Sequence, residues 1–295
     1  MPTVSVVIPA YNSASYLAEA VESALGQTFK DLEILVVDDG STDETQELMR
    51  RYGPPVRCLS QENTGVATAR NRGIDESRGR YVAFLDADDV WQPDKLEKQL
   101  AALERHGGCH ACHTGFRVVG AGPLPSVVTP ASGGASTLEA LLLRGNVIGT
   151  PSTVICLRSL FSKTGGFDPE LSQCADWEMW VRLAMVTEFT TLAEPLVTYR
   201  QHGLNMSRDP ALLERDSIRV LEKAFSLHGI PTSVRAARSH AFGRNYMVLA
   251  GTYLHAGRYR DFLRCAMLAV SFDPTQISYM TAFPARLIRG RRRRG

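Results

Sequence analysis

LEILVVDDGS, residues 32–41, is an apolar run of strand-forming residues that stops on two carboxylates, Asp38 and Asp39. Further along, YVAFLDADD, residues 81–89, repeats the arrangement, with Tyr81 to Leu85 running straight into Asp86, Asp88 and Asp89. Short apolar segments of this kind form strands buried in a parallel sheet. Ligands of open α/β sheets bind just beyond the carboxyl ends of such strands. Carboxylates delivered to one sheet edge by two strands repel one another unless a cation or a donor-rich ligand sits among them. The two stretches together predict an α/β enzyme whose sheet edge handles a metal–phosphate ligand.

Working outward, Val4 to Ile8 predicts a first strand with Pro9-Ala10-Tyr11-Asn12 as its exit loop. Ser13 or Ser15 is placed to cap a helix running to about Gln27, with Tyr16, Leu17, Ala20, Val21 and Leu25 on one face. Ser41 or Thr42 begins a helix through about Arg50, which Gly53-Pro54-Pro55 stops, and Val56 to Leu59 is a third strand. Asn63-Thr64-Gly65 opens a helix through about Glu76, Arg80 to Leu85 is a fourth strand, and Pro93 starts a helix over about 93–105. This alternation predicts a doubly wound, mostly parallel sheet with flanking helices.

The pattern then changes. Cys109 to Val119 and Ser152 to Leu157 are expected strands, and Phe189 to Tyr199 holds a strand or two. Gly120 to Ala135, rich in Gly, Pro and Ser, is expected to be a mobile loop. Thr137 to Leu143 and Asp176 to Met185 are expected helices, with Gly165-Gly166-Phe167-Asp168-Pro169 as a turn between them. Beyond Asp209 the chain is expected to be all helical, over about 211–228, 232–256 and 258–271. The last two helices resemble one tetratricopeptide-like unit. The expected organisation is residues 1–208 as the main domain, divided at 106/107, then a helical extension over 209–275 and a basic tail over 276–295.

A chain of 295 residues suits one large domain with a smaller appendage, and its 44% hydrophobic content supports a packed core. No apolar run reaches the ~18 residues of a membrane helix. The start, MPTVSVVIPAYN, lacks the basic and small-residue features of a signal peptide, so a cytoplasmic protein is expected. The six cysteines have no framework spacing and are expected as reduced, small hydrophobes. Cys109-His110-Ala111-Cys112-His113 matches a haem-attachment spacing, but a strand there sends the two thiols to opposite faces. The net charge of +2 conceals six arginines in the last ten residues, Arg286, Arg289 and Arg291 to Arg294, without which the chain is net acidic. The basic character is therefore a tail and not a nucleic-acid surface on the fold. That tail is either a solvated end or a peripheral contact with anionic lipid on the inner membrane face.

Several residues have two readings. Asp86 and Asp88 are an acidic turn or, after a buried strand, a site where one carboxylate meets a divalent cation and the other a sugar hydroxyl. Asp39 and Asp43 lie in an Asx-rich turn, with Asp43 expected as a cap and Asp39 as a contact to a base or ribose. Arg70 is a solvated charge or a guanidinium that offsets the carboxylates and contacts a base or diphosphate. Asp176 is a helix cap or a general base on an acceptor hydroxyl. His202, in Tyr199-Arg200-Gln201-His202, is structural, or a metal ligand, or a diphosphate contact.

In series, VSVVIPAYN at 4–12, EILVVDDGSTD at 33–43, NTGVATARNRG at 63–73, GRYVAFLDADDVW at 79–91, GGFDPEL at 165–171, DWEMWVRLA at 176–184 and YRQHGLNMS at 199–207 resemble family 2 glycosyltransferases of the GT-A fold. The resemblance covers roughly residues 3 to 208. It implies an inverting transferase that uses a nucleotide-diphospho-sugar and a divalent cation, Mn²⁺ or Mg²⁺. It implies that Pro9, Tyr11 and Asp39 line the base pocket and that Arg70 and Asp86 contact the donor. Asp88 would be the direct metal ligand, His202 would fall on a loop closing over the diphosphate, and Asp176 would be the base. It also implies a nucleotide-binding half over 1–106, an acceptor half over 107–208, and a glycan or lipid-linked acceptor in cell-surface polysaccharide or glycolipid synthesis. One departure stands out: many members carry Glu before the catalytic Asp, and this chain has Ala175.

Rival readings lack their motifs. A sugar-nucleotide pyrophosphorylase needs a Gly-rich basic loop after the first strand, and Pro9-Ala10-Tyr11-Asn12 has neither Gly nor a cation. A nicotinamide dehydrogenase needs a G-x-G-x-x-G there. The non-enzyme alternative is a degenerate GT-A-fold module that binds nucleotide-sugars without turning them over.

Overall fold

The computed structural model describes residues 1–120, 126–128, 137–202 and 209–281. They fall into two compact units, residues 1–141 with 146–206, and residues 142–145 with 207–295.

The first unit opens with the alternation β1 (Val4–Ala10), α1 (Leu17–Leu25), β2 (Leu32–Asp38), α2 (Thr45–Met49), β3 (Val56–Ser60), α3 (Val66–Glu76) and β4 (Tyr81–Phe84). After it come β5 (Val90–Trp91), α4 (Lys95–Arg105), β6 (Cys109–Val119), β7 (Ser126–Val128), α5 (Thr137–Arg144), β8 (Ile155–Leu157), α6 (Phe161–Thr164), α7 (Ala175–Ala184) and β9 (Glu188–Arg200). One mixed sheet runs in the order β3-β2-β1-β4-β8-β6-β9-β5, with β7 paired to β6. β3, β2, β1 and β4 are mutually parallel. β8 is antiparallel to both β4 and β6, and β9 is parallel to β6.

Every residue of β1 and β2 is buried, which is why both read as continuous apolar runs. Val6, Ile8, Ile34 and Val36 join one apolar cluster with Leu17, Val21 and Ala24 of α1 and Leu96 of α4. Each of the valines, leucines and isoleucines contributes roughly 1.5–3 kcal/mol on burial. On the other face α3 approaches so closely that a Cβ on Gly73 would stand 2.2 Å from Val7 Cγ1. That approach brings Arg70, one turn earlier on α3, towards the carboxyl edge of the sheet. The parallel register (Ala10 beside Asp38, Val7 beside Phe84) puts the exits of β1, β2 and β4 on that same edge.

Differences from the sequence expectation have local causes. The strand expected from Ser152 begins only at Ile155, because Pro151 starts a 3-10 turn over Pro151–Thr153, capped by the Thr150 hydroxyl. Glu188–Arg200 is a single strand that keeps pairing with β6 by shifting register at Gly115. Of the loop expected over 120–135, Ser126–Val128 is a strand and most of the remainder lies outside the described residues.

The second unit carries α8 (Pro210–Ser226), α9 (Thr232–Ala236), α10 (Arg238–His255), α11 (Tyr259–Phe272) and α12 (Ile277–Thr281). The helix expected over 232–256 is interrupted at Ala237. α10 and α11 meet at Gly257, whose φ of +73° suits glycine, and bury Ala250, Tyr253, Cys265 and Ala266 between them. Glu214 of α8 accepts from the Tyr253 hydroxyl and from Arg264, each at 2.6 Å. Among the described residues no helix is long and apolar enough to cross a membrane. The arginine-rich tail lies outside the described residues.

Candidate active site

The exits of β1 and β2 are laced together by donors from the main chain. Asn12, held at φ +47°, donates its amide to Ser41 Oγ at 2.9 Å and accepts from Thr42 N at 2.8 Å. Asp38 accepts from Ser41 N at 3.0 Å and from Gln46 Nε2 at 2.8 Å. Asp39, buried, accepts from Gln61 Nε2 at 2.8 Å, Thr64 N at 3.0 Å and Gly65 N at 2.8 Å. Asp43 accepts from Ala14 N and Thr45 N. Its partial burial acts upwards, but those hydrogen bonds outweigh it and hold the carboxyl below its usual range. Pro9 is buried inside β1, and Tyr11 emerges just past the strand with half of its surface exposed.

The second carboxylate group follows β4. Arg70, itself buried, ion-pairs with Asp86 through Nη2 at 2.6 Å and stacks over Phe167 at 5.4 Å from the ring centre. Asp88 Oδ2 and His202 Nε2 are hydrogen-bonded at 3.0 Å. The His202 ring stacks on Tyr16, with centroids 4.8 Å apart. Asp89 is completely buried and accepts from Ser152 Oγ at 2.6 Å and from Arg200 N at 3.2 Å. The same Ser152 oxygen accepts from Asp86 N at 3.0 Å, so one hydroxyl joins two of the acids. Burial, then repulsion from Asp86, pushes the Asp88 carboxyl up. Burial and repulsion from Asp86 and Asp88 push Asp89 well up. Tyr199 registers the same field: burial and then Asp89, Asp86, Asp88 and Asp176 push its hydroxyl up to about 12.

Asp176 is the second residue of α7. Its Oδ1 accepts from Trp177 N at 2.7 Å and its Oδ2 from Asn146 Nδ2 at 2.8 Å. Burial raises its carboxyl to about 6, against the opposing pull of Arg70, Trp177 and Asn146. A carboxylate poised there is suited to proton transfer near neutral pH. Ala175, before it, is buried and brings no polar side chain.

The residues singled out in the sequence thus form two groups, Pro9, Tyr11 and Asp39 at the β1/β2 exits, and Arg70, Asp86, Asp88, Asp176 and His202 around the end of β4. Asp88 and His202 offer a carboxylate and an imidazole, donors that a divalent cation accepts. Among the described residues no group of three ligating side chains forms; one or two protein ligands are what a cation bound mainly through phosphate oxygens and water takes. Asn146, Ser152 and Tyr16 were not singled out. Asn146-Val147-Ile148-Gly149 and Thr150-Pro151-Ser152 do carry turn signals, but nothing local ties Ser152 to acids more than sixty residues earlier or Asn146 to Asp176, thirty residues later. The GGFD turn acts as a support: Asn71 grips Phe167 through both its amide and carbonyl, and Phe167 in turn lies under Arg70.

A mixed α/β sheet of this order, with an acid-lined carboxyl edge, is a fold of the GT-A type. The chain belongs to glycosyltransferase family 2, whose model matches residues 5–165. It is 34% identical over 208 residues to an uncharacterized glycosyltransferase of Rickettsia prowazekii, covering 68% of this chain and 65% of that protein. It is 30% identical over 252 residues to a chondroitin synthase of Escherichia coli, covering 78% of this chain and 34% of that protein. The chain therefore spans less than two thirds of the length of these curated relatives. A mannosyltransferase of Pyrobaculum calidifontis, solved with GDP-Man and Mn²⁺, shares the fold at a TM-score of 0.62 and 19% identity, over 97% of this chain and 80% of that one.

Proposed function

We propose that this chain is an inverting transferase that moves a sugar from a nucleotide-diphospho-sugar to an acceptor hydroxyl. The observation that carries the proposal is Arg70, which is ion-paired with Asp86 and whose charge also acts on Asp176. One cation thereby links the acids at the end of β4 to a carboxylate poised as a base. In this reading Asp176 takes the proton from the acceptor hydroxyl as that oxygen attacks the anomeric carbon. The bond to the diphosphate breaks on the opposite face through an oxocarbenium-like state. Arg70 keeps a buried Nε without a protein partner among the described residues, a donor left for the ligand. Asp88 and His202 would hold Mn²⁺ or Mg²⁺, which supplies charge neutralisation on the leaving diphosphate. Asp39, Pro9 and Tyr11 would line the base, with residues 1–106 forming the donor half and 107–208 the acceptor half.

The acceptor in this reading is a glycan or lipid-linked glycan of a surface polysaccharide or glycolipid, a class of product in keeping with the chondroitin synthase relative. The protein would work in the cytoplasm against an anionic membrane face. The arginines of 286–294 support that contact, as do Tyr259, Leu263 and Met267, all exposed at one-turn spacing on α11.

Thermal denaturation with UDP-, GDP- and dTDP-sugars, each with and without Mn²⁺, tests the proposal. A donor at ~100 Kd adds about 2.7 kcal/mol. A cation-dependent shift with one donor, lost in Asp88→Ala, is expected, together with transfer that Asp176→Asn abolishes. Full transfer by Asp176→Asn would remove Asp176 as the base. A donor shift with no turnover under any condition would leave the nucleotide-sugar binding module instead.

A further inference from the structure

We infer that Asn146 is a positioning residue for Asp176, clamped by Gly149 so that one amide N–H points permanently at Asp176 Oδ2. The inference rests on the reading of Asp176 as the base. Asn146 accepts from Gly149 N through Oδ1 at 3.1 Å and donates from Nδ2 to Gly149 O at 3.0 Å. The second Nδ2 proton goes to Asp176 at 2.8 Å. Rotating the amide by half a turn would set Oδ1 against both the Gly149 carbonyl and the carboxylate, two acceptors facing a third, so its orientation is fixed by its neighbours.

The clamp is itself anchored. Gly149 has φ +89°, and a Cβ there would lie 2.5 Å from Phe116 Cε1 on β6. Phe116 in turn meets Tyr199 edge to face, with centroids 6.0 Å apart. The Asn146–Gly149 turn is thereby seated on the sheet and not on α7. With Trp177 N holding Oδ1, both carboxylate oxygens of Asp176 are fixed, and each keeps a lone pair for an acceptor proton. The family motif would place Glu immediately before Asp176; here Ala175 supplies no polar group, and the orienting donor comes from a segment thirty residues away.

A donor to the charged form lowers the pKa of a carboxyl, so its removal raises it. The other charged and titratable groups facing Asp176 are Arg70 from α3, Asp86 after β4 and Tyr199 of β9, and none of them changes in the variant. Carbon-13 carboxyl titration of the Asp-labelled full chain reads Asp176 directly, the resonance being assigned by its loss in Asp176→Asn. We expect Asn146→Ala to raise the Asp176 midpoint by about one pH unit, in line with the strength of a hydrogen bond to a charged group. The acid limb of nucleotide-diphosphate release from the donor should move up by the same amount, with kcat lowered several-fold on the plateau and the donor KM unchanged. Asn146→Asp, of the same shape but without the donor, should move both further. Gly149→Ala should reproduce the shift without touching Asn146. An unmoved Asp176 midpoint in folded Asn146→Ala overturns the inference, as does a raised donor KM with an unmoved limb. Full transfer by Asp176→Asn would instead sink the base reading while the titration still judged the contact.

Discussion

Two strand exits that look alike in sequence behave in opposite ways. After β2, Asp38, Asp39 and Asp43 are met by main-chain N–H groups and amide side chains. After β4, Asp88 and Asp89 are driven up by burial and by repulsion from Asp86, to which Asp88 adds at Asp89. The first set completes the loops that carry it. The second is bridged by the Arg70 guanidinium, the Ser152 hydroxyl, the Arg200 amide and the His202 ring, and its mutual repulsion favours whatever cationic ligand enters. Acidity alone does not mark a binding site; what separates the two is the supply of donors around each carboxylate.

Substitutions can break that contrast, and the largest effect is expected at Arg70. Arg70→Ala leaves the part-buried Asp86 carboxylate without its cation and should cost up to about 3–5 kcal/mol in urea denaturation. Adding Asp86→Ala should recover part of the loss. Recovery of nothing would show that Arg70 stabilises by packing on Phe167 and not by charge. Next in size is Asp39→Ala, which strips acceptors from Thr64 N and Gly65 N and should cost about 1–3 kcal/mol, visible as a lower Tm without any ligand.

The pH dependence is smaller and has a definite sign. Asp176 has a folded pKa of about 6 and an unfolded value near ~3.9, so the folded state binds more protons in between. Its contribution to stability should therefore increase as pH falls from about 6 towards ~4, while transfer activity fades over the same range. Melting curves of wild type and Asp176→Asn across that range check it, the variant being flatter. The smallest change in stability should come at Asp88. Asp88→Asn relieves repulsion and should leave Tm level or slightly raised, while abolishing cation-dependent donor turnover. A marked fall in Tm would place Asp88 with the β2 group and erase the distinction.

The parallel half was legible because it is local. β1, β2 and β4 are buried on both faces, so each appears as an apolar run ending in polar residues, while the edge strand β3 is buried only in part, and the helices between them carry start signals. Arg70 could be singled out for the same reason, since Asn63 to Gly73 is a continuous motif. The partners of the acids were not legible. Ser152 and Asn146 lie in turns whose sequence declares only a turn, and their roles arise when β8 docks antiparallel beside β4. Asp89 was visible as an acid, yet only the structure separates it from Asp88: one is sealed beneath Ser152 and the Arg200 amide, the other faces His202. The Ala237 break divides a stretch whose apolar spacing runs on without interruption.

The hydrogen bond from Arg200 N to Asp89 closes a loop of 111 residues. Contacts of such separation form late, since chain must be ordered across the whole span before the bond returns anything. During synthesis, β1 to β4 can pair as soon as they emerge, carrying their acids with them. Asp89 gains that partner only when β9 arrives, so a nascent or truncated chain can hold the parallel half and still lack a finished acid pocket. Competence to bind would then be a checkpoint of complete folding, and ligand-induced protection of Asp86 to Asp89 in pulse-labelling would date its completion.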